Sequence, residues 1–211
     1  MSNTLSSLVN IESCSNIDEI IDITYCEFKN NYMDRARRPK TLFGKRLIIE
    51  FANWVDYKAD SYWHLVSLNE NERFNVFPCG NKLSDHICLG NCISKDKQIV
   101  RYNGDIRNIC VYRALRINWP LDIIRLANEK SKKIDIWEKD KKLHLRYKQN
   151  KIDYIVILAI KKDSYKLISA FPVFYINKKM NFDRDFKEYN RQKKKPVIVI
   201  RKPESPFTLG K

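Results

Sequence analysis

Ile17, Ile20, Ile21, Thr24 and Phe28 recur at intervals of three and four, the spacing that lines one face of an α-helix. Asn16 precedes the run and Glu19 stands three residues after it, a capping-box arrangement that marks the helix start. A basic connector, DRARRPK, with Pro39 as punctuation, leads to KRLIIEFA and YWHLVSL. Both read as strands whose alternation is blurred by burial on two faces. Residues 69–105 carry Pro78, three of the five glycines and most turn-forming residues, so they read as loop with short helices or strands. NICVYRALRI reads as helix or mixed structure stopped near the Trp119–Pro120 bond, because the residue before a proline disfavours the helical region. LDIIRLANEK is a second short helical segment.

Four strand-like runs follow: KIDIWEK, KLHLRYKQ, DYIVILAI and YKLISAFPVFY. Their separators, DKK, NKI and KKDS, have hairpin length, which predicts an antiparallel meander. Helices first and strands after predict an α+β fold, with N-terminal helices packed on a twisted four- to five-stranded antiparallel sheet. The expected divisions are a helical extension over 1–41, a main domain over 42–176 and a basic tail over 177–211, whose PVIVI is a candidate edge strand. No repeat appears. No apolar run of 18 residues and no basic-then-apolar leader is present, so neither a membrane span nor a secretory signal is expected, and the expected compartment is the cytoplasm.

Charge changes the picture more than composition does. Lys and Arg number 40 against 25 Asp and Glu, a formal +15, which draws polyanions such as RNA, an anionic membrane surface or an acidic inhibitor protein. Nucleic acid is the expected partner, because counterion release makes this charge effective there. A hydrophobic fraction of 44% excludes wholesale disorder. The cysteines at 14, 26, 79, 88, 92 and 110 read as reduced thiols. Cys79, His86, Cys88 and Cys92 are four zinc-type ligands, but C-x6-H-x-C-x3-C matches no standard finger and reads better as loop; no metal or cofactor is expected. Gly-rich phosphate loops, H-E-x-x-H and G-x-S-x-G are all missing, which removes several large enzyme classes.

RNA can be cut without a metal, because its own 2′-hydroxyl attacks the adjacent phosphate. That reaction needs a base, an acid and cations around the phosphorane. Histidine suits the first two and arginine the third. His64, in YWHLVSL, is either a satisfied structural residue or a catalytic one. In KLHLRYK, alternation puts His144, Arg146 and Lys148 on one strand face, either solvated or facing phosphate. His86 is given no role. Arg113 and Arg116 lie three apart, a surface pair or a clamp on one anion.

YRALRINWPLDII, followed by IDIW, LHLRY, DYIVILAI and YKLISAFPVFY, resembles the compact toxin-type nucleases of the barnase–EndoU–colicin–RelE (BECR) superfold, above all their phage-associated and polymorphic-toxin branches. The shared order is an R-A-x-R-I-x-W element, a basic-aromatic strand, an apolar strand and a T-A-Y/F-P strand; with an upstream F-x-H-L-like element it covers about residues 42–176. The resemblance implies a metal-independent endoribonuclease, a toxin or phage–host conflict protein, leaving 2′,3′-cyclic phosphate ends on RNA (tRNA or mRNA) and countered by an acidic antitoxin or immunity protein. Carried over to this chain, His64 and His144 would be base or acid, with Arg113, Arg116 and Ser169 completing the catalytic set. Arg146, Lys148, Trp119, Lys161 and Tyr175 would contact substrate. Ser169 stands where threonine is commoner and Phe171 where many members have tyrosine, which removes a hydroxyl. A non-catalytic nucleic-acid-binding protein on the same fold, or a basic module for an acidic inhibitor, remain the alternatives.

Overall fold

The capping box forms as the sequence predicts: Asn16 Oδ1 accepts from Glu19 N at 3.0 Å, and the Glu19 carboxylate reaches back to Ser15 N at 2.6 Å. The helix it starts, α1 (Ile17–Phe28), runs on through a π-helical turn, Lys29–Met33. Its buried face, Ile20, Ile21, Thr24, Tyr25 and Phe28, is the face read from spacing with Tyr25 added and Ile17 only half-buried. The computed structural model describes residues 4–69 and 97–193. Among these, four further helices follow: α2 (Asp60–Val66), α3 (Val111–Ala114), α4 (Trp119–Asn128) and α5 (Ile176–Lys193). Among them no helix is long and apolar enough to cross a membrane.

The main sheet has six strands, ordered β1 (Thr41–Leu42), β2 (Lys45–Ile48), β11 (Ser164–Pro172), β10 (Ile152–Ile160), β9 (Lys142–Gln149) and β8 (Ile134–Lys139). The α+β class and the meander β8–β11 match expectation. The expected all-antiparallel sheet of four or five strands does not: β2 joins β11 in parallel, with Ser164 opposite Arg46 and Lys166 opposite Ile48. Local patterning shows no trace of that pairing, because the two strands lie more than a hundred residues apart in sequence. Two small sheets complete the fold, the hairpin β3 (Trp54–Val55) with β4 (Lys58–Ala59), and β5 (Ser67–Asn69), β7 (Ile106–Ile109) and β6 (Gln98–Val100).

Three sequence readings change. YWHLVSL is helix α2 running into β5, not a strand; a short apolar run buried all round fits either element. The Trp119–Pro120 bond starts a helix rather than ending one, because proline at the first turn gives up only an N–H that has no helical partner. Residues 177–193 of the expected tail lie in α5; PVIVI and the Cys79–Cys92 quartet lie outside the described residues.

The principal core lies between the helices α1, α2 and α4 and one sheet face. Phe28, Tyr62, Leu121, Ile123, Leu145 and Val156 are all buried in it. The other face is smaller, with Trp137, Ile155 and Val173 buried under Phe182, Phe186 and Tyr189 of α5. The first two of the three meander hairpins turn through two residues with positive φ, Asp140 and Lys141 (51° and 57°) and Asn150 and Lys151 (50° and 66°). These are the mirror-image turns whose twist suits a hairpin. Asp and Asn tolerate this region and lysine does not. Lys151→Gly is therefore expected to raise unfolding stability by about 0.5 kcal/mol, relief of left-handed strain exceeding glycine's added chain entropy; urea titration measures it.

Candidate functional site

Residues opposite one another in register share a sheet face. His144 therefore stands in a row with Trp137, Ile157 and Ser169, and Arg146 in a row with Ile155 and Phe171. This is the face α5 covers. The His144 ring stacks flat on Trp137, centroids 4.9 Å apart and planes 8° from parallel, and burial lowers its pKa. Arg146, 1% exposed, donates from Nε and Nη2 to the Asp153 carboxylate, both at 2.7 Å, and from Nη1 to Asp183 of α5 at 2.8 Å. Lys148 reaches the same Asp183 at 3.0 Å. Burial alone would raise the Asp183 carboxyl, but the Lys148 hydrogen bond and the Arg146 charge hold it below its usual range. The His-Arg-Lys stripe read from alternation thus exists, and its cations are paired with carboxylates.

Arg113 and Arg116 part company. Arg113 is buried and donates to three backbone carbonyls, Ser67 O through Nη1, and through Nη2 His64 O at 3.0 Å and Ala170 O at 2.9 Å. It ties the C-terminal end of α2 to β11. Arg116 lies between two rings, 3.3 Å from the Tyr112 centroid and 4.8 Å from that of Trp119, and donates to Tyr112 O at 2.9 Å. Trp119 is itself buried, its Nε1–H held by Ser6 O at 2.9 Å, so it positions the segment rather than offering a stacking face. Tyr175 stands at the entry to α5, its carbonyl accepting from Lys179 N. The residues nominated from sequence therefore fall on both sides of the sheet.

Two of them, His64 and Lys161, meet at a cavity of about 400 Å³. It opens where β2 parts from β11 beyond Lys166, beside a β-bulge at Ile168 that breaks the β10–β11 register. Helix α2 supplies Asp60, Ser61 and His64, of which Asp60 and His64, four apart, share a helical face. Arg101 comes from the turn between β6 and β7, Lys161 from the β10–β11 turn, and Lys166 from β11. Arg101 is clamped by Asp60 through Nε at 3.2 Å and Nη2 at 2.6 Å; Lys166 pairs with Glu50 at 2.5 Å. Asp60, Ser61, Arg101 and Lys166 were not singled out from sequence. Reading 60–66 as helix would have exposed the Asp60–His64 spacing, but the Arg101 contribution depends on tertiary folding.

His64 is the unusual group here. Both ring nitrogens are buried, and among the described residues neither has a hydrogen-bond partner. Desolvation, then the positive charges of Arg101, Arg107 and Arg113, lower its pKa to about 4, against a smaller opposing effect of Asp60. At neutral pH the cavity thus holds an uncharged imidazole, able to accept a proton, beside Arg101, Lys161 and Lys166 and the carboxylates Asp60 and Glu50. Neither a protein-family model, nor a curated protein, nor a solved structure matches the chain.

The unfolded chain binds a proton at His64 below pH 6.5, whereas the folded chain does so only below about pH 4. Stability contributed by the neutral ring is complete above pH 6.5 and is lost as pH falls through that window. From pH 7 to pH 4 the native protein is expected to lose about 3 kcal/mol more than His64→Gln, whose side chain does not titrate. Denaturant titrations of the two proteins at each pH measure the difference; parallel losses would place His64 in solvent.

Proposed function

We propose that the chain is a metal-independent endoribonuclease of toxin or phage–host conflict type, built on a BECR-like fold, with the His64 cavity as its reaction centre. One observation carries the reading: a buried imidazole without a partner among the described residues lines a cavity together with Arg101, Lys161 and Lys166, of which Arg101 pairs with Asp60 and Lys166 with Glu50. The formal +15 charge adds attraction for RNA over long range. The catalytic set is smaller than the one nominated from sequence. His64 serves as base, Lys161 and Lys166 with Arg101 stabilise the phosphorane, and Arg113 holds the helix that carries His64.

The 2′-hydroxyl gives its proton to a His64 ring nitrogen as its oxygen bonds to phosphorus. The bond from phosphorus to the 5′-oxygen breaks, and that oxygen takes a proton from the Lys161 ammonium. A 2′,3′-cyclic phosphate and a 5′-hydroxyl result. An entering phosphodiester places negative charge beside the ring and raises its pKa toward neutrality, where a base works best.

A second reading, a nucleic-acid-binding protein without cleavage, is favoured by the internal use of Arg113, Arg116 and Arg146, three cations that a nuclease of this type would turn on phosphate. Purified protein incubated with tRNA and a long mRNA in EDTA separates the two. The nuclease reading expects discrete fragments with cyclic-phosphate ends. His64→Ala should slow cleavage at least about a hundred-fold and Lys161→Ala about ten-fold. The acid limb of kcat/KM should lie near pH 4, not near 6.5, since it reports the free enzyme's base. Intact RNA at every enzyme concentration, with salt-sensitive binding, would leave the binding reading.

A further inference from the structure

Asp60 joins two exposed segments to the helix that bears His64. Its carboxylate accepts from Arg101 Nε and Nη2 and, at 3.4 Å, from Tyr102 N. Its own N–H donates to Asn53 O at 2.9 Å. Arg101 and Asn53 both line the cavity, and each is followed by an aromatic residue that is left in solvent: Tyr102 is 67% exposed and Trp54 52%. The β3–β4 hairpin that begins at Trp54 turns through Asp56 and Tyr57, and Tyr57 holds a φ of 57° with 97% of its surface exposed. Left-handed backbone disfavours a side chain of this size, and exposure to this degree leaves the ring little folded-state packing to offset the strain.

We infer that Trp54 and Tyr102 form a stacking subsite at the mouth of the His64 cavity that takes unpaired bases of single-stranded RNA, with Tyr57 at its outer end. This rests on the reading of the cavity as the site for an RNA phosphate. Every base offers a π face, so such a platform binds strands with little regard to sequence. A duplex keeps its bases stacked on one another and cannot use it. Arg101, one residue from Tyr102 and fixed by Asp60, sets a cation for the backbone next to the ring. The selectivity this gives is for loops and unpaired segments over helical RNA.

The test uses the full chain and a 12-nucleotide oligo(A) with 2′-O-methyl riboses, which cannot be cleaved, against an abasic strand of equal length and charge. Trp63, Trp119 and Trp137 are each 5% exposed or less, so Trp54 is the solvent-facing indole and reports stacking through quenching of its emission. Oligo(A) is expected to quench it and the abasic strand to leave it unchanged. Trp54→Ala and Tyr102→Ala should each weaken oligo(A) binding about ten-fold and leave abasic affinity within two-fold. Equal losses on both strands, or no loss on either, overturn the subsite. Cleavage of unmodified RNA in parallel keeps the two readings apart. Base-dependent binding without cleavage sinks the nuclease and keeps the subsite. Cleavage with unaltered oligo(A) affinity in both variants sinks the subsite and keeps the nuclease.

Discussion

The Arg113 guanidinium bridges the end of α2 and the free edge of β11, and the site depends on that bridge. Strand β11 is paired with β2 only through Lys166, after which the bulge at Ile168 shifts it out of register. Beyond that point the outward carbonyl of Ala170 has no strand to meet, and the carbonyls ending α2 lack helical donors. Arginine answers both needs with one rigid fork, at about 1.5–3 kcal/mol for each hydrogen bond made by a charged group. Holding α2 against the sheet in this way leaves a gap between β2, β11 and the helix. That gap is the cavity. The same charge that closes the structure also helps keep His64 neutral within it.

The arginine pair three residues apart thus resolves without a bound anion. Backbone carbonyls take one guanidinium and aromatic faces take the other. On the opposite face of the sheet the same economy holds: Asp153 of the adjacent strand and Asp183 of α5 neutralise Arg146, and Lys148 shares Asp183. The cations of motif-rich stretches are absorbed into the fold, while the cavity draws its own from two turns and the paired part of β11. The cations of the sequence stripe and the cations that line the cavity are therefore different residues in this chain.

Much of the architecture is legible in the sequence because it is local. The capping box at Asn16, the period-2 stripe of His144, Arg146 and Lys148, and the short separators of the meander all specify their structure within a few residues. What escapes is non-local or degenerate. The parallel β2–β11 pairing brings together distant segments. The run around His64 is apolar on every side, which erases the period that separates helix from strand. Pro120 carries the same local restriction whether it ends one helix or opens the next. The site follows the same division: His64 and Lys161 were nominated from sequence, whereas Asp60, Ser61, Arg101 and Lys166 join them only once α2 and the β6–β7 turn are in place.

Folding buries both His64 ring nitrogens beside three arginines, without a hydrogen-bond partner among the described residues. With three histidines in the chain, each replaceable in turn for assignment, the ring resonances can be followed individually by NMR as pH is lowered. His64 is expected to stay neutral until about pH 4. Titration of His64 at 6.5 or above in the folded protein would contradict it, and with it the placement of a reaction centre in this cavity.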